Sequence, residues 1–358
     1  MVTMNNLLTL SKVYSPCATV YLPTHAHGHG TISDSRHFHH LINEAATRLR
    51  RRGISSMVAE TVLNPARALA DHHDFWQHQS DGLALFASPQ FWSHHSLHRP
   101  VREQLVVNDI FYLRQLVPFV TNGEKFHVLA LSQKSIRLCT ADRYSITRVD
   151  VPDLPDSIDE DLWYEMPQRE LQVRSTGGHH AMFHGHGQGD ELDKERVERF
   201  LRHVDRAVAT HLADDHSPVV LAGVDYHVAL FRHVTTLATI VDDYVEGSVD
   251  RRTDTEIHAS AWDAVKGIFD APRRARIAQF RNVRGTGLTL EELPEILEAA
   301  TEGRIDTLFL GDTTAELDDF SEALVNSAIR RSLLTGAATY ESPDLVDDPA
   351  RAFALLRY

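Results

Sequence analysis

Twenty-three of the 358 residues are histidine, and several stand where imidazoles could ligate a metal or move protons. His25, His27 and His29 alternate, His37, His39 and His40 follow, and His179, His180, His184 and His186 share one stretch. Three or four imidazoles meeting at one point suffice for zinc. There is no His-Glu-x-x-His pattern and no cysteine pair, and side chains two apart along a loop need not converge. The expectation is therefore no metal and no cofactor. Gly28-His29-Gly30 lies between a strand pattern and a helix pattern, as a phosphate-binding turn does. It lacks the third glycine and the acidic partner, so a plain strand-to-helix turn is expected. Neither a Gly-x-Ser-x-Gly elbow nor a P-loop is present, and no pair of residues marks a catalytic dyad. A binding protein is expected more than an enzyme.

Two groups of arginines could meet phosphate. Arg48, Arg50, Arg51 and Arg52 close one helical pattern, and Arg273, Arg274 and Arg276 lie in another, near Arg281 and Arg284. Both groups are candidates for RNA contact, and both could equally be solvated helix faces. The formal charge is -14, so the surface is not basic throughout and any RNA contact must be local.

The elements that position these residues follow from periodicity. Residues 18–23, 82–86 and 104–107 read as strands, and Phe38, Leu41, Ile42, Ala45 and Leu49 recur at helical spacing. Val58, Val62, Ala66 and Leu69 give a second helix. Residues 125–132, 135–140 and 146–151 read as an antiparallel meander. The polar stretch Gln172 to Gly189 has no period and reads as a long loop, a class that is usually functional or disordered. A helix with Val197, Phe200, Leu201, Val204, Val208 and Leu212 on one face comes next. A buried strand at 218–224 and a short helix at 228–234 follow it. The remainder alternates helices (257–268, 293–300, 323–334) with strands (305–310, 337–340, 353–356), which implies an α-β-α sandwich.

At 358 residues, two or three domains of about 100–200 residues are expected. The reading is α/β, with an N-terminal domain at 1–122, a middle domain at 123–248 and a C-terminal domain at 249–358. No apolar stretch approaches the roughly 20 residues of a membrane helix, and the N-terminus does not read as a secretory signal. Cys17 and Cys139 make no disulfide framework. The expected location is the cytoplasm, with no membrane and no small-molecule cofactor.

Four stretches carry a resemblance. They are Phe75-Trp76-Gln77-His78-Gln79-Ser80-Asp81-Gly82-Leu83-Ala84-Leu85-Phe86, then Val128-Leu129-Ala130-Leu131-Ser132-Gln133 with Ile136-Arg137-Leu138, then Pro218 through Tyr226, and Glu302-Gly303-Arg304-Ile305-Asp306-Thr307-Leu308-Phe309. In this order the chain resembles the bacterial branch of the archaeo-eukaryotic release factor family, within the class-1 release factor and Pelota-like superfamily. The resemblance implies an RNase H-like middle domain and a C-terminal domain like kink-turn-binding ribosomal proteins. It also implies action on the ribosome or its RNA, in space that tRNA fills.

In release factors of this kind a Gly-Gly-Gln loop precedes the long helix of the middle domain. Glycines let the backbone enter a crowded RNA centre, and the glutamine orients water or stabilises developing charge on the peptidyl-tRNA ester. The candidate loop here is Gly185, His186, Gly187, Gln188 and Gly189. Gly187-Gln188 is present, but His186 stands where the first glycine belongs; Gly177-Gly178-His179 has the glycine pair without the glutamine. The expected function is a tRNA-mimicking, ribosome-binding factor in hibernation, rescue or a termination-like role, without intact hydrolase chemistry. The alternatives are a hydrolase using the His-rich loop, with or without a metal, and a stress-related protein-binding scaffold.

Overall fold

Strand β1 (Val13–Pro23) is buried on both faces from Cys17 to Leu22, so each face must be covered. In the computed structural model, which describes residues 2–25, 30–119, 124–132, 134–155, 157, 188–342, 345 and 352–358, both faces are. β2 (Gly82–Ala87) and β4 (Gln104–Ile110) flank β1, and β3 (Trp92–Leu97) adds to β2. The sheet is antiparallel in the order β3-β2-β1-β4. Side chains alternate between faces along each strand. Ala18, Val20 and Leu22, with Leu83 and Leu85, pack on α2 (Gly30–Arg51) and α3 (Ser56–Ala70) through Phe38, Ile42, Leu49 and Val62. A short helix α1 (Met4–Leu10) precedes the sheet, and α4 (His73–Gln77) follows α3.

The opposite face of this sheet carries Cys17, Tyr21, Phe86 and Phe111. It is covered by two helices from the far end of the chain, which pack through Ile296, Ala299, Val325 and Ile329. The C-terminal sheet lies on the other side of those helices, in the order β10-β13-β11-β12. Its strands are β10 (Thr289–Leu290), β11 (Ile305–Leu310), β12 (Ala338–Glu341) and β13 (Ala352–Leu356). Leu308, Leu310, Ala354 and Leu356 face the helix pair, while Phe309, Phe353 and Leu355 face Ile277 and Phe280.

The middle sheet joins β5 (Phe126–Leu131), β6 (Ile136–Ala141), β7 (Ile146–Val149), β8 (Val219–Gly223) and β9 (Val245–Glu246) in the order β7-β6-β5-β8-β9. β5, β6 and β7 form an antiparallel meander; β8 runs parallel to β5, and β9 parallel to β8. β5 and β8 are buried at every position, as strands covered on both faces must be. Helices α5 (Gln188–His211) and α6 (Asp225–Val234) cover the face of Leu129, Leu138 and Leu221. Ile257, Ala261 and Val265 of α7 (Asp254–Val283) cover the face of Phe126, Val128 and Val220. Two further helices complete the chain, α8 (Leu293–Thr301) and α9 (Asp319–Leu334), the pair that lies between the two outer sheets.

The α/β class expected from the sequence therefore holds, with three sheets. By contacts, residues 1–123 and 272–358 form one compact unit and residues 124–271 another. The helix expected at 257–268 is 30 residues long and continues through Pro272. Its first part packs on the middle sheet and its last part on the C-terminal sheet. The expected boundary at 248/249 falls before this helix, whereas the division of contacts falls within it. β3 escapes a periodicity reading because Trp-Ser-His-His-Ser-Leu is an outer strand with no apolar alternation.

Candidate functional site

The candidate loop is carried on α5. Val197, Phe200, Leu201, Val204, Val208 and Leu212 bury one face of this helix region against the middle sheet. Val197 is the first described side chain of the helix to be buried. Gln188 lies nine residues earlier, about 13 Å along the axis at 1.5 Å per residue. From Val197 onward buried side chains anchor the helix. Buried Asp205 fixes the helix further, accepting from Thr235 Oγ1 at 2.7 Å, Thr236 Oγ1 at 2.8 Å and Thr236 N at 3.1 Å. Of the candidate residues, Gln188 and Gly189 form the first turn of α5; Gly185, His186 and Gly187 lie outside the described residues, as do Gly177, Gly178 and His179.

The acidity of the chain is concentrated around this helix. Residues 124–271 contain 27 Asp and Glu against 16 Lys and Arg, and so hold -11 of the formal -14. A body with that charge is repelled by RNA phosphates except where local cations intervene.

The two arginine groups divide by what they touch. Arg48 Nη1 donates to the Leu105 carbonyl at 2.8 Å, and its Nε donates to Glu44 at 2.9 Å. Arg52 donates to the Val107 carbonyl at 2.5 Å and stands 3.6 Å from Asp109. These two arginines clip the end of α2 to β4. Arg50 and Arg51, between them, are exposed. Arg276 is held by Asp306 at 3.0 Å and Gln279 at 3.1 Å. Arg273 is half-buried and Arg274 exposed on the same helix.

Among the described residues, His25, His37 and His40 line one cleft, and His25, His37 and His39 each meet a different carboxylate. Leu22, Pro23, His25, Asp34, His37 and Glu103 are among the residues lining a cleft of about 560 Å³ at the mouth of the strand-to-helix turn. Buried Asp34 accepts from His25 N at 2.7 Å and meets its Nδ1 at 3.0 Å. His37 meets Glu103 at 2.5 Å and stacks with His40, while His39 meets Asp71 at 3.0 Å. Among the described residues no three His, Cys, Asp or Glu side chains are placed to hold a metal. His27, His29, His179, His180, His184 and His186 lie outside them. Among the described residues no helix is long and apolar enough to cross a membrane.

Sequence reasoning missed a third group. His127 is buried at the start of β5, with Nε2 3.0 Å from Asp215 and Nδ1 3.1 Å from Thr140 Oγ1. A carboxylate only accepts, so Nε2 carries the proton and the Thr140 hydroxyl donates to Nδ1. Lys125 lies 2.5 Å from the same carboxylate. Burial pulls the His127 pKa below its ordinary value, and Asp215 offsets that only in part. Burial alone would raise Asp215, but the hydrogen bonds from Lys125, Ser217 and His127 outweigh it and hold the carboxyl well below its ordinary range. The sequence signal was a histidine between Phe126 and Val128 in an otherwise apolar strand.

No curated protein matches the chain. Among solved structures it is similar to the archaeal translation termination factor aRF1, at 14% identity and a TM-score of 0.25, over 100% of this chain and 99% of that one. It is similar to an archaeal Pelota in a structure described as ribosome-bound, at 12% identity and a TM-score of 0.37, over 76% and 73% of the two chains. It is similar also to Dom34 of S. cerevisiae, described as a translation termination-like factor of RNA quality control. The identity there is 12% and the TM-score 0.40, over 81% and 77% of the two chains. The model of bacterial archaeo-eukaryotic release factor family 3 matches from residue 125 to residue 304, half of the chain. The match runs through the whole middle sheet and the helix that carries the candidate loop, and the chain belongs to that family.

Proposed function

We propose that the chain is a translation-associated factor that binds the ribosome as a tRNA-like body and does not hydrolyse peptidyl-tRNA. The observation that carries this reading is the family match over residues 125–304. The order of the middle sheet, a meander continued by two parallel strands, supports an RNase H-like reading of that part. His186 in place of the first glycine supports the loss of release chemistry. A side chain at that position obstructs the close backbone approach that glycine allows. The acidic middle unit supports a role in which the loop is not driven deep into RNA. Hibernation, rescue and a termination-like step all fit such a body.

Purified chain pelleted with ribosomes through a cushion, with and without tRNA filling the A site, tests the reading. Binding that tRNA competes away is expected, together with no release of an ester-linked peptide. Binding indifferent to tRNA contradicts the tRNA-like mode, and peptide release contradicts the silent loop.

A further inference from the structure

Phe320 is 70% exposed, although it sits in the first turn of a long, well-packed helix. Its position is fixed. The N-cap Asp318 accepts from the backbone N–H of Phe320 and of Ser321 at 3.0 Å each, and from Ser321 Oγ at 2.6 Å. The ring stands at a groove of about 360 Å³ lined by Leu293, Pro294, Leu317, Leu324 and Ala352. Leu293 and Leu317 pack against the core shared with the N-terminal sheet, so the floor of the groove is firm. A lone exposed apolar residue is ordinary, but an aromatic beside a preformed apolar floor is the arrangement of an interaction site.

The rim decides the partner's charge. Glu291, Glu292 and Asp318 line the groove, and Asp319 is exposed beside it. Arg284 engages Glu291 through two contacts of 2.7 and 2.9 Å. Glu292 occupies the N-cap of α8 without making a side-chain cap bond. Asp319 is favoured in the first turn of α9 by the helix dipole, and Glu292 and Asp319 stand at the edge of a groove with an apolar floor and an acidic rim.

We propose that this groove docks a segment of a partner protein in which aliphatic side chains are flanked by lysines or arginines. The aliphatic groups would cover Phe320 and the Leu293–Pro294 floor. The cations would meet Glu292 and Asp319, which gives selectivity and faster encounter more than raw affinity. The site is independent of the ribosome reading, since nothing in the groove depends on the candidate loop.

The test places p-benzoylphenylalanine at position 320 of the full-length chain in cells and maps the photo-crosslinked peptide by mass spectrometry. The expected product is a partner segment with aliphatic residues next to Lys or Arg. Its yield should fall at least about 10-fold when Glu292→Lys and Asp319→Lys are added, while the chain stays folded with only the loss of about 0.3–1 kcal/mol per charge that a cation at a helix start brings. A crosslink to RNA, to a second copy, to residues 346–351 of the same chain or to an acidic segment overturns the proposal. So does the absence of any crosslink, or a yield indifferent to the two reversals.

Discussion

Arg114 and Glu322 lie 208 residues apart in sequence and meet with Nη1 3.2 Å from the carboxylate, the arginine side chain only 2% exposed. Arg114 also donates to the carbonyls of Ala315 at 2.9 Å and Asp312 at 2.8 Å. Glu322 also accepts from the Tyr112 hydroxyl and from Arg102 at 3.1 Å. Next to them Asn326 accepts from Leu113 N at 2.8 Å and donates to the Phe111 carbonyl at 2.9 Å. This network ties the end of the N-terminal sheet to α9 and accounts for two distant segments sharing one core.

Removing Glu322 leaves the buried Arg114 charge without its carboxylate, which typically costs about 3–5 kcal/mol. Glu322→Leu is expected to lower unfolding stability on that scale, and Arg114→Met to cost less, because Glu322 keeps Arg102 and the Tyr112 hydroxyl. The double variant should recover part of the loss, because Arg114 is then no longer a buried charge without its carboxylate, and only Arg102 and the Tyr112 hydroxyl lack their acceptor. Urea denaturation of the three variants checks this; simple additivity of the two losses would contradict it.

Stability should fall in two steps as pH drops. The folded-state pKa of His127 lies below the ordinary value of about 6.5, so the unfolded chain takes up the proton first. The stabilisation is complete above about pH 6.5 and is lost as pH falls through it. Asp215, held below its ordinary range, contributes stability above about pH 4 that is lost at lower pH. His127→Gln should flatten the first step without abolishing it, because burial also lowers His94, His227 and, to about 4, His95. Urea midpoints across pH read both steps.

Gly223 ends β8 where a Cβ would stand 2.8 Å from the Leu131 carbonyl. Gly223→Ala must push β5 and β8 apart and is expected to cost about 1–3 kcal/mol. Hydrogen exchange would show the loss concentrated in the middle sheet.

Asp205 accepts from two hydroxyls and a backbone N–H, so Asp205→Ala leaves the half-buried Thr235 and the exposed Thr236 without their acceptor. A loss of about 1–2 kcal/mol is expected, with faster exchange along α5. Protection unchanged along that helix would show that the clamp does not hold it.

The arginines of α2 should separate into two kinds. Arg48→Ala removes the bond to the Leu105 carbonyl and is expected to cost stability of about 1 kcal/mol. Arg50→Glu with Arg51→Glu should leave the melting curve unchanged and weaken ribosome pelleting more at low salt than at high salt. Equal pelleting would remove these two residues from the RNA-facing surface.

Much of this fold was legible in the sequence where one physical requirement dominated. Val197 to Leu212 keep strict helical spacing because one face is buried, and residues 218–224 run apolar because β8 is covered on both sides. The network of Arg114 was not legible, since its partners lie about 200 residues further along the chain, at Asp312, Ala315 and Glu322. Nor was the run of α7 through Pro272, where arginines interrupt the apolar pattern before Ile277 and Phe280 resume it. His127 and Asp215 are 88 residues apart, and only the pairing of β5 with β8 brings them together. The sequence names Arg48 and Arg52 as RNA candidates by type, while the structure engages both with β4 carbonyls. The type of a residue does not reveal which acceptors the fold will place beside it.

We propose that this chain acts on the ribosome, as a member of its family. Sedimentation of native lysate from growing, stressed and stationary cells through a sucrose gradient, with the protein followed by antibody, tests it most directly. The account predicts that the protein travels with ribosomal fractions in at least one of these states and leaves them when Arg50 and Arg51 are both changed to Glu. A protein that stays at the top of the gradient in all three states would contradict it.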